Sequence, residues 1–126
     1  MVAVLRTCAR MGVAAGILIY SATSGWGAGA MAVGSCAAFG YAYDYDALPA
    51  ARSAALAKCS GGKCKVVATM QHACGAFAID GHNACGAHGY AVAPRLAQAE
   101  NEALQYCYKY GGRDCVIRAF ACDAKG

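Results

Sequence analysis

The chain is 126 residues long and carries little charge. It has 11 Lys and Arg against 7 Asp and Glu, with a formal net charge of +4. Arg6 and Arg10 lie in an N-terminal segment of export type, and without them nine cations face seven anions, about +2 on the body. That balance excludes the dense basic footprint of a nucleic-acid binder or a membrane-surface binder. No Cys-x-x-Cys occurs, so the usual catalytic dithiol frame is missing. The phosphate-loop frame G-x-x-x-x-G-K-S/T is also absent: after Gly61-Gly62-Lys63 comes Cys64, where that loop needs a hydroxyl. Only three histidines are present, His72, His82 and His88, and none stands four residues from another as a helical metal pair would. Behind the N-terminus there is no long apolar run, so no integral membrane segment is expected once that part is removed.

What the N-terminus does have is the form of a Sec-type signal peptide. Arg6 and Arg10 make the positive region, and the uncharged stretch from Met11 to about Ala22 makes the apolar one. Two small-x-small sites compete for processing, Ala22-Thr23-Ser24 and Ala28-Gly29-Ala30. A third arrangement, Val33-Gly34-Ser35 before Cys36, has a lipoprotein look but would leave an odd number of thiols. The expectation is a signal over 1–24 and one domain over 25–126, a body of single-core size destined for the periplasm or the medium.

Of nine cysteines, Cys8 lies in the signal, and eight remain: Cys36, Cys59, Cys64, Cys74, Cys85, Cys107, Cys115 and Cys122. At this density in an exported chain, an even set predicts a disulfide framework, for which 105 connectivities are possible in principle. Internal similarity narrows them. CSGGKC at 59–64 and CYKYGGRDC at 107–115 both place two cysteines around Gly-Gly and a basic residue, and an apolar run follows each. Upstream, FGYAYDYDALPAARSAALAKC lies over HGYAVAPRLAQAENEALQYC, Cys36 over Cys85 and Cys74 over Cys122, at offsets of 48 to 51. The body therefore reads as two repeats, about 26–74 and 75–123, the first copy beginning near Trp26, which favours cleavage near Ser24 or Gly25. Two local staples, Cys59 with Cys64 and Cys107 with Cys115, respect the repeat. Linking Cys36 to Cys85 and Cys74 to Cys122 is then the simplest remaining solution, and would put each bridge on a pseudo-twofold axis. Against this, zinc would need four thiols together at closer spacing.

Each repeat has one coarse pattern. A small-residue strand, a Gly-containing turn and a second strand such as Phe39 to Tyr45 suggest a hairpin. An Ala-rich helix follows, with Asp46 as the expected N-cap and Pro49 in the first turn of one copy, and Pro94 opening the other. Gly61-Gly62 and Gly111-Gly112 end the helices, and a third strand closes each unit. Two β-β-α-β units with a mostly antiparallel sheet covered by two helices predict a disulfide-stapled α+β fold.

The run Gly40-Tyr41-Ala42, the helix ending in Cys59, then Cys64-Lys65-Val66-Val67, Ala73-Cys74-Gly75-Ala76-Phe77-Ala78 and Ala121-Cys122 resembles the bacterial domain-of-unknown-function family 4189 over nearly all of the body. Members are small exported proteins or exported modules attached to other domains, with no established common activity. The resemblance implies export, a small cysteine-stapled α+β domain and no catalytic residues. Cys36 and Cys85 stand outside its core pattern, and their equivalent places in the repeat favour a bond between them.

Three sets of residues remain as candidates. Tyr41, Tyr43 and Tyr45, spaced by two, are expected on one face of a strand, either as core under a helix or as an aromatic strip for a protein or glycan, helped by Tyr108 and Tyr110. Lys63, Lys65, Arg113 and Arg118 surround the third strands as edge charge or as a surface for an acidic partner. His72, His82 and His88, with Asp80, fall on or near one hairpin and offer a metal or enzyme reading. Ser35, Ser53 and Ser60 sit in no recognisable nucleophile motif. The reading that follows is an exported binding module for an unknown protein or envelope polymer, with no catalysis, cofactor or metal expected; the alternative is an envelope enzyme or metal-dependent protein using the histidine region.

Overall fold

The computed structural model describes residues 27–123; the signal segment at 1–24, Cys8 within it and Trp26 lie outside the described residues. The elements in order are β1 (Ala28–Val33), β2 (Phe39–Tyr45), α1 (Leu48–Lys58), β3 (Lys65–Met70), β4 (Cys74–Asp80), β5 (His88–Ala93), α2 (Leu96–Lys109) and β6 (Cys115–Cys122). Strand, strand, helix, strand thus occurs twice. The strands form two antiparallel three-stranded sheets, β2-β1-β3 and β5-β4-β6, each with the first strand of its half in the middle. The fold is α+β, and the like order of its halves is what an internal duplication would leave.

Alternation along the central strands sorts their side chains into layers. Ala28, Ala30 and Ala32 of β1 pack with Ala51 and Ala55 of α1, while Met31 and Val33 point the other way. In β4, Cys74, Ala76 and Ala78 pack with Ala99, Ala103 and Cys107 of α2, and Phe77 points away from them. Both outward sets meet. Met31, Val33, Phe77 and Ala119 form one buried cluster, ringed by Phe39, Tyr41, Val67, Ala68 and Ile79. The sheet is therefore divided into two halves packed face to face, and the layers run α1, first sheet, second sheet, α2.

Large side chains fill the space between the sheets, and alanine fills the space under the helices. The small residues let each helix lie close on its sheet, and glycine is required where the approach is closest. A methyl group on Gly40 would overlap the Ala55 carbonyl and the Cys59 amide; on Gly89 it would overlap the Ala103 carbonyl and the Cys107 amide. Alanine layers remove little apolar area per residue from water, so the core is thin for its chain length.

The helix starts differ from expectation by a residue or two. β2 runs through Tyr45, which leaves Asp46 in the bend; the residue at the cap of α1 is Ala47, with no side-chain cap, and Pro49 sits in the first turn. The cap of α2 is Arg95, so Pro94 precedes the helix and does not open it.

Four disulfides cross-link this frame: Cys36–Cys85, Cys59–Cys64, Cys74–Cys122 and Cys107–Cys115. The two short ones join the end of each helix to the approach of the next strand. Cys74 opens β4 and stands opposite Cys122 in the register of the same sheet. That bridge ties neighbouring strands and does not join the halves, contrary to the symmetric placement expected from the repeat, because the chain has already crossed into the second sheet at Cys74. Cys36–Cys85 alone links the halves, from the turn after β1 to the loop after β4.

Candidate binding groove

The tyrosine strip of β2 is broken by one residue. Asp44 has left-handed backbone, φ 60°, and the register with β1 shifts between Ala28 and Ala30, so β2 carries an extra residue there. Tyr45 consequently crosses to the helix side, packs against the α1 cluster and has Lys58 Nζ 5.9 Å from its ring centre. The expectation of three rings on one face is corrected to two, because a bulge resets the alternation. Tyr41 stacks on Tyr43 at 6.3 Å, and Phe39 stacks on Tyr41 at 5.8 Å. These three rings form one wall of a groove of about 560 Å³; β6 supplies the other through Arg118 and Phe120. Arg118 lies 5.1 Å over the Phe39 ring, a cation held on an aromatic face.

A larger groove, of about 900 Å³, runs along β5 between α2 and β3. Its floor follows from alternation. Gly89, Ala91 and Ala93 are buried toward α2, which leaves His88 and Tyr90 exposed on the opposite side. α2 supplies a wall because Glu102, Tyr106 and Tyr110 are spaced by four and share one side of the helix, Tyr110 standing at its C-cap. Val67 and Ala68 of β3 face them. Tyr106 stacks on Tyr110 at 6.4 Å, and His88 on Tyr90 at 6.5 Å, with the Phe77 ring edge-on to His88 at 5.9 Å. Tyr110 is 65% exposed, Tyr106 43% and Tyr90 37%, so the rings are held yet open to solvent. Lys109 Nζ is 5.9 Å from the Tyr106 ring, and the Gln98 amide donates to Glu102 Oε1 at 3.1 Å. Tyr108 serves the frame instead: its hydroxyl accepts from the Cys115 amide at 3.1 Å.

The two halves differ at this place. Where the second has Glu102 and Tyr106, the repeat alignment puts Ala54 and Lys58 in the first, and Tyr108 and Lys109 extend α2 past the position of the cysteine at which the first helix ends, with Tyr110 at its C-cap. Tyr90 and Tyr106 carry no motif that would single them out in the sequence. The available signal is the spacing of Glu102, Tyr106 and Tyr110.

The basic residues do not form one surface. Lys63 and Lys65 sit before and at the start of β3, Arg113 sits before β6, and all three are exposed and line neither groove. Arg118 alone joins Tyr41 and Tyr43. The histidines are also separated in their roles. The His82 ring pairs with the Asp114 carboxylate at the surface, the His72 amide donates to Asp123 Oδ2 at 3.2 Å, and His88 stacks in the larger groove. Asp80 accepts from the His82 amide at 2.8 Å. That bond, helped by the Arg113 and Asn83 amides and by the His82 charge, holds its carboxyl below the ordinary value of 3.8 against the opposing effect of desolvation. Among the described residues, no three of His, Cys, Asp and Glu are grouped so as to hold a metal ion, and no helix is long and apolar enough to cross a membrane.

Fold and site define a disulfide-linked α+β module with aromatic grooves at the seams between its two sheets. The chain belongs to the family described as Domain of unknown function (DUF4189), which matches residues 26–122. No curated protein and no solved structure matches it.

Proposed function

We propose that this chain is an exported, disulfide-stabilised binding module without catalytic activity, and that the groove between β5, α2 and β3 is its ligand surface. The observation that carries the reading is the set of four partly exposed rings, His88, Tyr90, Tyr106 and Tyr110, in one groove on a cross-linked frame. Aromatic side chains combine large contact area with few rotatable bonds, which is why they dominate binding energetics where they are anchored. The four disulfides fit an oxidising compartment. With residues 1–24 acting as a signal peptide, that compartment is the periplasm or the medium, and the partner is a protein or envelope polymer met there. The histidine-based enzyme or metal reading has no observation in its favour, since His72, His82 and His88 are each engaged in different surroundings.

The test is retention of an envelope component by the immobilised, oxidised protein, compared with the Tyr106→Ala/Tyr110→Ala variant. Truncating two anchor rings should weaken retention by about 2 kcal/mol or more, on the order of thirtyfold. Equal retention by the variant would remove the groove from the account.

A further inference from the structure

β5 is an open sheet edge of a kind the other three edge strands avoid. β2, β3 and β6 each carry an extra residue relative to the central strand they pair with, so each edge is kinked. Each also carries charge: Asp44 at the β2 bulge, Lys65 at the start of β3, Arg118 at the β6 bulge. Bulges and charges are how edge strands are kept from pairing with other chains. β5 has neither. Its sequence HGYAVA holds no Lys, Arg, Asp or Glu, and all six residues pair with β4 in unbroken register. No other backbone group among the described residues bonds its outward edge. This one regular, unprotected edge runs along the floor of the larger groove, with Tyr106 and Tyr110 on one side and Val67 on the other.

We infer, building on the groove reading above, that the ligand is an extended peptide segment of another protein, added to β5 as a fourth strand and carrying a Lys or Arg that meets Glu102. Six residues of β5 offer an edge of about 20 Å, enough for a peptide of similar length. Main-chain hydrogen bonds to the edge hold such a strand, and its alternate side chains fall to the α2 side and the β3 side. Among the described residues, Glu102 is the only Asp, Glu, Lys or Arg lining the groove, so complementarity calls for a cation there. The β5 strand of a second copy pairing through the same edge would bring no Lys or Arg of its own to Glu102.

The experiment is selection from a displayed library of random octapeptides on the full oxidised protein. The winning synthetic peptide is then titrated with the amide resonances as readout, beside a form N-methylated at alternate backbone nitrogens. The expected result is enrichment of β-branched or aromatic peptides bearing Lys or Arg, shifts at 88–92, and at least about a tenfold loss on N-methylation. Glu102→Gln should weaken the Lys peptide more than its Lys→Gln form. Failure of the library to enrich any sequence, or binding indifferent to N-methylation, overturns the inference. A parallel titration with a soluble chitin oligosaccharide separates the two readings. Shifts at Tyr90, Tyr106 and Tyr110 with the sugar alone would overturn the peptide and keep the groove. Peptide or sugar binding mapped to Tyr41, Tyr43 and Arg118 would overturn both.

Discussion

Gly89 faces the carbonyl oxygen of Ala103 with no space between strand and helix for a methyl group. Gly40 stands in the same relation to Ala55 in the other half. Each glycine fixes how near its helix lies to the edge strand, and in the second half that distance sets where the wall of the larger groove stands against its floor. Gly89→Ala should force α2 off β5, costing about 1–3 kcal/mol by overpacking and altering the groove, while Gly40→Ala should cost a similar amount and leave the larger groove intact. Urea denaturation with partner retention checks both. Unchanged stability in either variant would show that the close approach is not real.

The disulfides should contribute unequally. Cys36–Cys85 closes a loop of 49 residues' separation between the halves, and the chain-entropy relation gives about 4 kcal/mol for it. Cys59–Cys64, separated by 5, gives roughly 2. The Cys36→Ser/Cys85→Ser variant should therefore lose more stability than Cys59→Ser/Cys64→Ser in matched denaturation experiments. The reverse order would mean that the two sheets are held together mainly by the Met31 and Phe77 cluster and gain little from the bridge.

The parts of this molecule legible in sequence are those that repetition makes redundant. Two copies of the Gly-Gly turn between cysteines are visible at 59–64 and 107–115, and two apolar runs follow them. The division of the sheet is not legible, because alternation in β1 and β4 assigns Met31 and Phe77 a face without saying that the faces meet each other. Nor is the turnover of Tyr45, since it depends on a single left-handed residue, Asp44, a type that tolerates that backbone but is not confined to it. The larger groove combines a helix spacing, Tyr106 with Tyr110, and a strand edge, β5, that only the order of strands leaves unpaired.

Acid should loosen the loop after β4 through Asp80. Its carboxyl is held below 3.8 chiefly by the His82 amide, so the stability it contributes is fully present above that value and is lost as pH falls through the lower folded one. Thermal midpoints of wild type and Asp80→Asn should differ near pH 5 and converge toward pH 2. A constant difference over that range would contradict the assignment.

Asp44 and Asp123 crowd the same point above Gly27, and the Oδ1 atom of each is buried without a hydrogen-bond partner. Asp123 keeps the His72 amide on its Oδ2, but the two Oδ1 atoms face each other's side with no donor between them, and a buried acceptor without a donor is costly. Asp44→Asn removes one charge, supplies a donor and tolerates the positive φ, so it should raise stability by about 1 kcal/mol at neutral pH. A stability loss of that size in urea denaturation would instead assign the Asp44 charge a partner.

The central claim is that binding occurs at β5 and α2, and amide hydrogen exchange tests it most directly. Exchange would be measured on the oxidised protein alone and with the component it retains from envelope extracts. The account predicts new protection over 88–92 and 102–110, with the Phe39 to Tyr43 segment unchanged. Protection confined to Phe39, Tyr41, Tyr43 and Arg118 would contradict it and move the ligand to the opposite seam.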